Sequence, residues 1–375
     1  MTPHKRVWQR RILGKMEYKR DFEELKPYYE AFWNCGVLDR VAVSVYAPKS
    51  GDRSRWTDWS KPSFVAGEPP EKILDFFEKD IGCGYCGGLA VPYFWPNFGP
   101  DVFSAFLGVG MNYSSDSDST SWADWSEPFL KDYSCLNGLH ISDENPLYRK
   151  NMELLRLAAE RGKNRYLVGV TDLHAGFDSL AVLRGGPDRA VLDLVDNPDG
   201  VRDAMRVLFN AWRKIYADYY SVVRDMQPGT NTWISIFAPG KMYPVQNDFS
   251  CLVSPGMYRG FFLEELLAEI EYLDYSIYHL DGVEALQHLD ILLEIPRLNA
   301  IQWVSGARFG ESGIARWFSL YKKIQEKKKA IIVYARIEEI DLVLENLRPE
   351  GLLISTSADS VEEADAVLKK LGWKR

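Results

Sequence analysis

The stretch Tyr275-Ser-Ile-Tyr-His-Leu-Asp-Gly282 is a short apolar run closed by a polar pair and a glycine. A parallel strand buried on both faces reads this way, because nothing along it faces water until it ends. The same signature recurs on either side. Downstream come Ala300 to Val304, Ala330 to Tyr334 and Gly351 to Ser355. Upstream come Thr232 to Phe237, after the turn Gln227-Pro-Gly229, and Arg165 to Thr171. Gly88 to Tyr93, interrupted by Pro92, and Val41 to Tyr46, ended by Pro48, complete eight strand expectations.

Helical patterns fill the intervals. Asn197-Pro198 pairs a capping side chain with proline at the first helical position. Behind it Val201, Met205, Leu208, Trp212, Ile215, Tyr219 and Val222 form one apolar stripe. Ser254-Pro255 opens a second helix, and Ser360-Val-Glu-Glu363 is a capping box for the last one. Eight strands alternating with helices predict an α/β fold, a single (β/α)8 TIM barrel over residues 1–375. The doubly wound alternative lacks a Gly-rich phosphate turn after its first strand.

Composition excludes several classes. The chain has 375 residues, 46% hydrophobic, 26% charged, and a net charge of −8. No apolar stretch approaches the roughly 20 residues of a membrane span. The acidic balance argues against nucleic acid, which wants a basic face. Five cysteines provide no disulfide framework, and Met1-Thr-Pro-His-Lys-Arg6 leads into no apolar segment, so a cytoplasmic protein is expected.

Residues at the C-terminal ends of barrel strands usually serve the site. His279 and Asp281 lie two apart, so both side chains face the barrel mouth. They suit a metal site or acid/base work, or form a hydrogen-bonded pair. Asp172 and His174 repeat that spacing after Thr171, with Asp178 following. Asp172 reads as a general base, a hydroxyl ligand or a helix cap. Asp248, after a loop, is another mouth carboxylate or a loop residue. Gln302, Trp303 and Trp233 read as a substrate wall or as core. Cys83-Gly-Tyr-Cys86 is a lone Cys-x-x-Cys, weak as a zinc signal. The stretch from Ser50 to Tyr148 is irregular and reads as long loops over the C-terminal face. It carries Arg55-Trp-Thr-Asp-Trp-Ser60 and Ser121-Trp-Ala-Asp-Trp-Ser126. Trp56, Trp59, Trp122 and Trp125 are therefore expected to line a ligand cleft or to pack between loops.

Several short motifs, in order, carry a resemblance. They are Pro96-Asn-Phe-Gly-Pro100, Gly169-Val-Thr-Asp-Leu-His-Ala-Gly176, Leu183-Arg-Gly-Gly186, Leu192-Asp-Leu194 before Asn197-Pro198, Leu252-Val-Ser-Pro-Gly-Met-Tyr258 and Tyr278-His-Leu-Asp-Gly282. Together they resemble the uroporphyrinogen decarboxylase superfamily, which includes the corrinoid-dependent methyltransferases. The resemblance implies a (β/α)8 barrel with its site at the strand ends. The chain also departs from that pattern. The decarboxylases' Arg-rich segment, which grips porphyrin carboxylates, is replaced by Ala47-Pro-Lys-Ser-Gly-Asp-Arg53. Leu89-Ala-Val-Pro-Tyr93 stands where their catalytic Asp would be. In the methyltransferases a His-x-Cys-Gly strand end binds zinc; here Asp281 takes the Cys position, and Ser355-Thr-Ser357 offers no late Cys.

The function expected is therefore enzymatic action on a small non-porphyrin substrate, with corrinoid-linked methyl transfer favoured. His279 and Asp281 are the implied metal ligands, for zinc or another divalent ion. The partners implied are a small-molecule substrate and, on this reading, a corrinoid protein; a homodimer is compatible. A carbohydrate-active barrel using strand-end carboxylates, a decarboxylase and a non-catalytic ligand-binding barrel are the alternatives.

Overall fold

The computed structural model describes residues 16–49, 57–113, 120–306 and 314–373. Its strands are β1 (Ala42–Pro48), β2 (Gly84–Gly88), β3 (Tyr93–Phe94), β4 (Met111–Asn112), β5 (Trp122–Ala123) and β6 (Leu167–Val168). There follow β7 (Met242–Val245), β8 (Tyr275–Asp281), β9 (Ala300–Val304), β10 (Ala330–Tyr334) and β11 (Leu352–Ser357). Seven of them form one sheet in the order β2-β1-β11-β10-β9-β8-β7. All its pairs are parallel except β1 with β2. The first long strand, β1, thus lies beside the last, β11, as a sheet curling into a barrel requires.

A second parallel pair, β3 with β6, continues the wall. Gly169 N donates to Phe94 O at 2.7 Å and Val170 N to Asn231 O at 3.2 Å. These bonds carry the wall toward β7 without a full ladder. The architecture is TIM-barrel-like, but among the described residues the strands do not close a continuous ring.

The helices pack outside, as their apolar stripes demand. Pro198–Val223 is the longest, and the Asn197 side chain accepts from Gly200 N at 3.1 Å to cap it. Its stripe buries Trp212, Tyr216 and Tyr219, and the Tyr216 hydroxyl donates to Met242 O of β7 at 2.9 Å. Among the described residues no helix is long and apolar enough to cross a membrane.

The expectation Arg165 to Thr171 shrinks to β6, Leu167–Val168, and two further strand expectations fail for local reasons. Thr232 to Phe237 is not a strand. Ser235 N donates back to Thr232 O at 2.9 Å and Ser235 adopts φ 65°, so the chain turns. The wall there is built by β7, whose Pro244 hides it from a sequence reading. Proline is tolerated because β7 lies at the edge of the seven-stranded sheet. Gly88 to Tyr93 likewise splits into β2, which runs antiparallel to β1, and β3. The 50–148 stretch is more than loops: it holds the helices Pro62–Gly67, Pro70–Gly82 and Val102–Phe106 and the small antiparallel pair β4–β5.

Candidate metal and acid-base centre

The segment after β6 carries Asp172 and His174 directly into the helix Gly176–Leu183. Gly176 has φ 64°, and a Cβ there would lie 2.4 Å from Glu265 Oε2. Only glycine permits this sharp entry, which turns His174 and Asp178 toward each other. Asp178, in the helix's first turn, is buried. Its two carboxylate oxygens accept the backbone N–H groups of Asp248 and Phe249, both at 3.0 Å. Those bonds hold the turn Asp248–Leu252, and with it the Asp248 side chain, against the helix.

His174 sits at the middle of this arrangement. Its Nε2 lies 3.3 Å from Asp172 Oδ1, and its Nδ1 4.0 Å from Asp248 Oδ2. Asp172 is buried and oriented in turn: its Oδ1 accepts from the Tyr243 hydroxyl at 3.2 Å, and that hydroxyl accepts from Leu173 N at 2.5 Å. Burial works against a charged imidazole. The carboxylates of Asp172, Asp248, Asp178 and Asp101 together outweigh it and raise His174 to about 9. Burial raises Asp172, against the pull of His174. Burial, then the Asp248 charge, pushes Asp178 up to about 7. The pocket thus has an excess of negative charge that a proton on His174 partly balances at neutral pH.

Among the described residues, one group of three side chains offers ligand atoms all within 4.8 Å of one another: His174, Asp178 and Asp248. One imidazole nitrogen and two carboxylate oxygens suit a divalent cation harder than the thiolate-bound zinc of a Cys-rich site.

The β8 end lies across from this group. His279 Nδ1 is hydrogen-bonded to Gln302 Oε1, and Gln302 Nε2 donates to the Tyr334 hydroxyl at 3.3 Å. That chain orients the imidazole through Nδ1 and leaves its Nε2 edge turned away from Gln302. The Trp233 ring meets the imidazole edge-on at 4.8 Å between centroids. Asp281 Oδ1 is buried with no partner among the described residues, and burial raises the Asp281 carboxyl despite His279 nearby. The charge of His279 acts on both Asp172 and Asp281, so the two strand ends share one electrostatic environment. His279 and Asp281 do not belong to the three-ligand group.

Asp172, His174 and Asp248 are therefore brought together, while Gln302 and Trp233 contact His279. The other aromatic expectations divide. Trp59 donates from Nε1 to Asp80 at 3.1 Å and packs edge-on against Phe77 at 4.9 Å, so its contacts are those of packing. Trp125 is half-buried against the core, and Trp122 on β5 is 55% exposed. Trp56 lies outside the described residues. Trp303 is buried and meets Trp317 at 5.0 Å, away from the Gln302 face of the same strand. Cys83 and Cys86 are not joined in a disulfide. His288 is held as a structural residue, its Nε2 donating to Ser250 O at 2.8 Å and its ring stacked on Tyr258 at 4.5 Å.

Sequence reasoning noted Asp178 without giving it a role, and missed Asp101 and Tyr243. Asp178 joins the centre through bonds to residues 70 and 71 positions away. Asp101 follows the Pro96-to-Pro100 motif directly, the one local signal that was available.

No family model and no curated protein sequence matches the chain. Among solved structures it is similar to a methyltransferase from Methanosarcina mazei, with a TM-score of 0.56 at 12% identity. The match covers 93% of this chain and 98% of that one, and at this identity the likeness is one of fold over almost the whole length of both chains.

Proposed function

We propose that this chain is a methyl-transfer enzyme of the uroporphyrinogen decarboxylase superfamily, acting on a small non-porphyrin substrate with a corrinoid as the methyl carrier. The observation that carries the reading is the convergence of His174, Asp178 and Asp248 with the Asp172 carboxylate at the strand ends, facing His279 and Asp281. The fold likeness to a methyltransferase supports it.

The residues divide the work. His174, Asp178 and Asp248 would hold a divalent cation, which when bound supplies Lewis acidity toward a thiol or hydroxyl acceptor. The soft His-x-Cys zinc set does not fit this chain, because Asp281 and the Ser355–Ser357 strand end offer only oxygen. Asp172 fixes the His174 ring from Nε2, with Tyr243 fixing Asp172. His279, its ring oriented through Nδ1 by Gln302, presents Nε2 as the base that takes the acceptor's proton. Trp233 walls the site beside that imidazole and limits water. Methylcobalamin offered with a panel of thiols and phenols tests this directly: the wild type should consume it, seen as the loss of its absorbance. No consumption with any acceptor would count against the reading.

A second reading is favoured by one observation. Ligand atoms of Asp178 and Asp248 lie within 4.8 Å, with Asp178 raised to about 7, and a raised carboxyl beside a second one about 5 Å away is the arrangement of retaining glycosidases. Turnover of nitrophenyl glycosides would select it.

A further inference from the structure

Sheet register gathers a second set of side chains beside the acidic centre. Ser44 of β1 pairs with Ser355 of β11, and Ser355 with Tyr334 of β10, so these side chains stand on one face of the sheet. Tyr46, two residues beyond Ser44, shares that face. Ile332, two before Tyr334, pairs with Gln302, and Gln302 with His279, which carries the same face round to the site. Across the interior stands Ser235. Its φ of 65° is left-handed, a strained conformation for a residue with a Cβ, and such strain marks places where function is built. The turn sets its hydroxyl against Tyr46, whose own hydroxyl donates to Ser235 Oγ at 3.1 Å. Ser235 also bonds Tyr93, whose hydroxyl donates to Trp233 O at 3.5 Å. Tyr46, Tyr93 and Ser235 are only partly buried, and Tyr334 is 44% exposed.

The hydrogen bonds of this face are incompletely used. Tyr46 has given its one proton to Ser235, and among the described residues nothing donates to its oxygen. Tyr334 accepts from Gln302, and among the described residues its own proton has no acceptor. An open acceptor and an open donor together suit a hydroxyl, which does both, and suit a thiol poorly, because it is weak in both roles. Among the described residues no ionised side chain acts on Tyr93 or Tyr334, so nothing there offsets a charge on a ligand. The rings of Tyr46, Tyr93 and the neighbouring Trp233 offer walls to an apolar group. From this geometry we infer that Tyr46, Tyr93, Ser235 and Tyr334 form a subsite for a small uncharged hydroxyl compound carrying an apolar group, in preference to a thiol. The inference deepens the methyl-transfer reading and rests on it for the fate of the hydroxyl, which the Tyr334–Gln302 bond sets toward His279. Binding itself is read without turnover.

The test is calorimetric titration of the full chain with benzyl alcohol, benzyl mercaptan and benzoate. Benzyl alcohol should bind saturably at one site, and the other two at least about tenfold more weakly. Tyr46→Phe and Tyr334→Phe keep the rings and remove the hydroxyls; each should weaken the alcohol by about fivefold and leave the mercaptan within about twofold. Ser235→Gly suits the left-handed turn, so the fold is kept, and it should weaken the alcohol severalfold. Mercaptan bound as tightly as the alcohol would overturn the proposal. So would the absence of saturable alcohol binding, or alcohol binding that none of the three variants weakens. Alcohol bound as expected, with no methylcobalamin consumed, would uphold the subsite and remove the methyl-transfer reading.

Discussion

Nε2 of His174 lies 3.3 Å from Oδ1 of Asp172, two residues back along the chain. Both stand in the irregular segment between β6 and the helix Gly176–Leu183, and the fold brings Asp178 and Asp248 to the same imidazole. A single ring thus faces three carboxylates. That charge balance, more than any one contact, sets the electrostatics of the pocket.

The late strand pair should be essential to catalysis yet dispensable for folding. His279→Ala and Asp281→Asn should keep the circular dichroism of the wild type and lose methyl transfer by about a hundredfold or more. Asp281→Cys should raise zinc affinity, since it puts a soft thiolate two residues from His279. Retained activity in either of the first two variants would remove the pair from the mechanism.

The tryptophans should separate by role. Trp59 is half-buried against Phe77 and bonded to Asp80. Trp59→Ala should cost about 2–4 kcal/mol of stability, somewhat below a fully buried Trp, with ligand affinity unaltered. Trp122 is exposed, and Trp122→Ala should change stability by less than about 0.5 kcal/mol. Urea denaturation of both variants checks this; a large loss at Trp122 alone would reverse the assignment.

Behind the centre, burial and then the Asp178 charge raise Glu269 to about 8 from its ordinary 4.5. The folded state therefore holds this proton more tightly than the unfolded chain does. The stabilisation is fully present below about pH 4.5 and is lost as pH rises through about 8. The wild-type Tm should fall across that window. Glu269→Gln, which cannot ionise, should show a shallower fall, by on the order of a few degrees at alkaline pH. Parallel Tm curves for the two proteins would contradict this.

Much of the fold was legible from local pattern. β1, β8, β9, β10 and β11 are apolar runs with clean stops, the cap at Asn197 is used as read, and Ser360 caps the last helix while Glu363 reaches back to Asp359 N instead of Ser360 N. The failures have physical causes. β7 contains Pro244, which ordinary strand rules reject, and its edge position excuses. Thr232 to Phe237 has strand composition but turns at Ser235, whose hydroxyl accepts from Tyr46 at 3.1 Å across the interior. At the site, the spacing of two drew attention to Asp172 with His174 and to His279 with Asp281, although only the second pair lies on a strand in the structure. It could not reveal that Asp178 clasps the Asp248 turn, a contact set by how a helix and a distant loop pack. Nor could it show that Trp59 is held by Asp80.

The central claim is that His174, Asp178 and Asp248 form the cation site, with His279 and Asp281 beside it but outside it. Calorimetric titration of the metal-stripped protein with Mn²⁺ and Zn²⁺, on the wild type and the His174→Ala, Asp248→Asn and His279→Ala variants, tests it most directly. The account predicts one cation per chain in the wild type and in His279→Ala, with affinity reduced at least about tenfold in the other two. No saturable binding in the wild type, or binding abolished by His279→Ala and intact in His174→Ala, would contradict it.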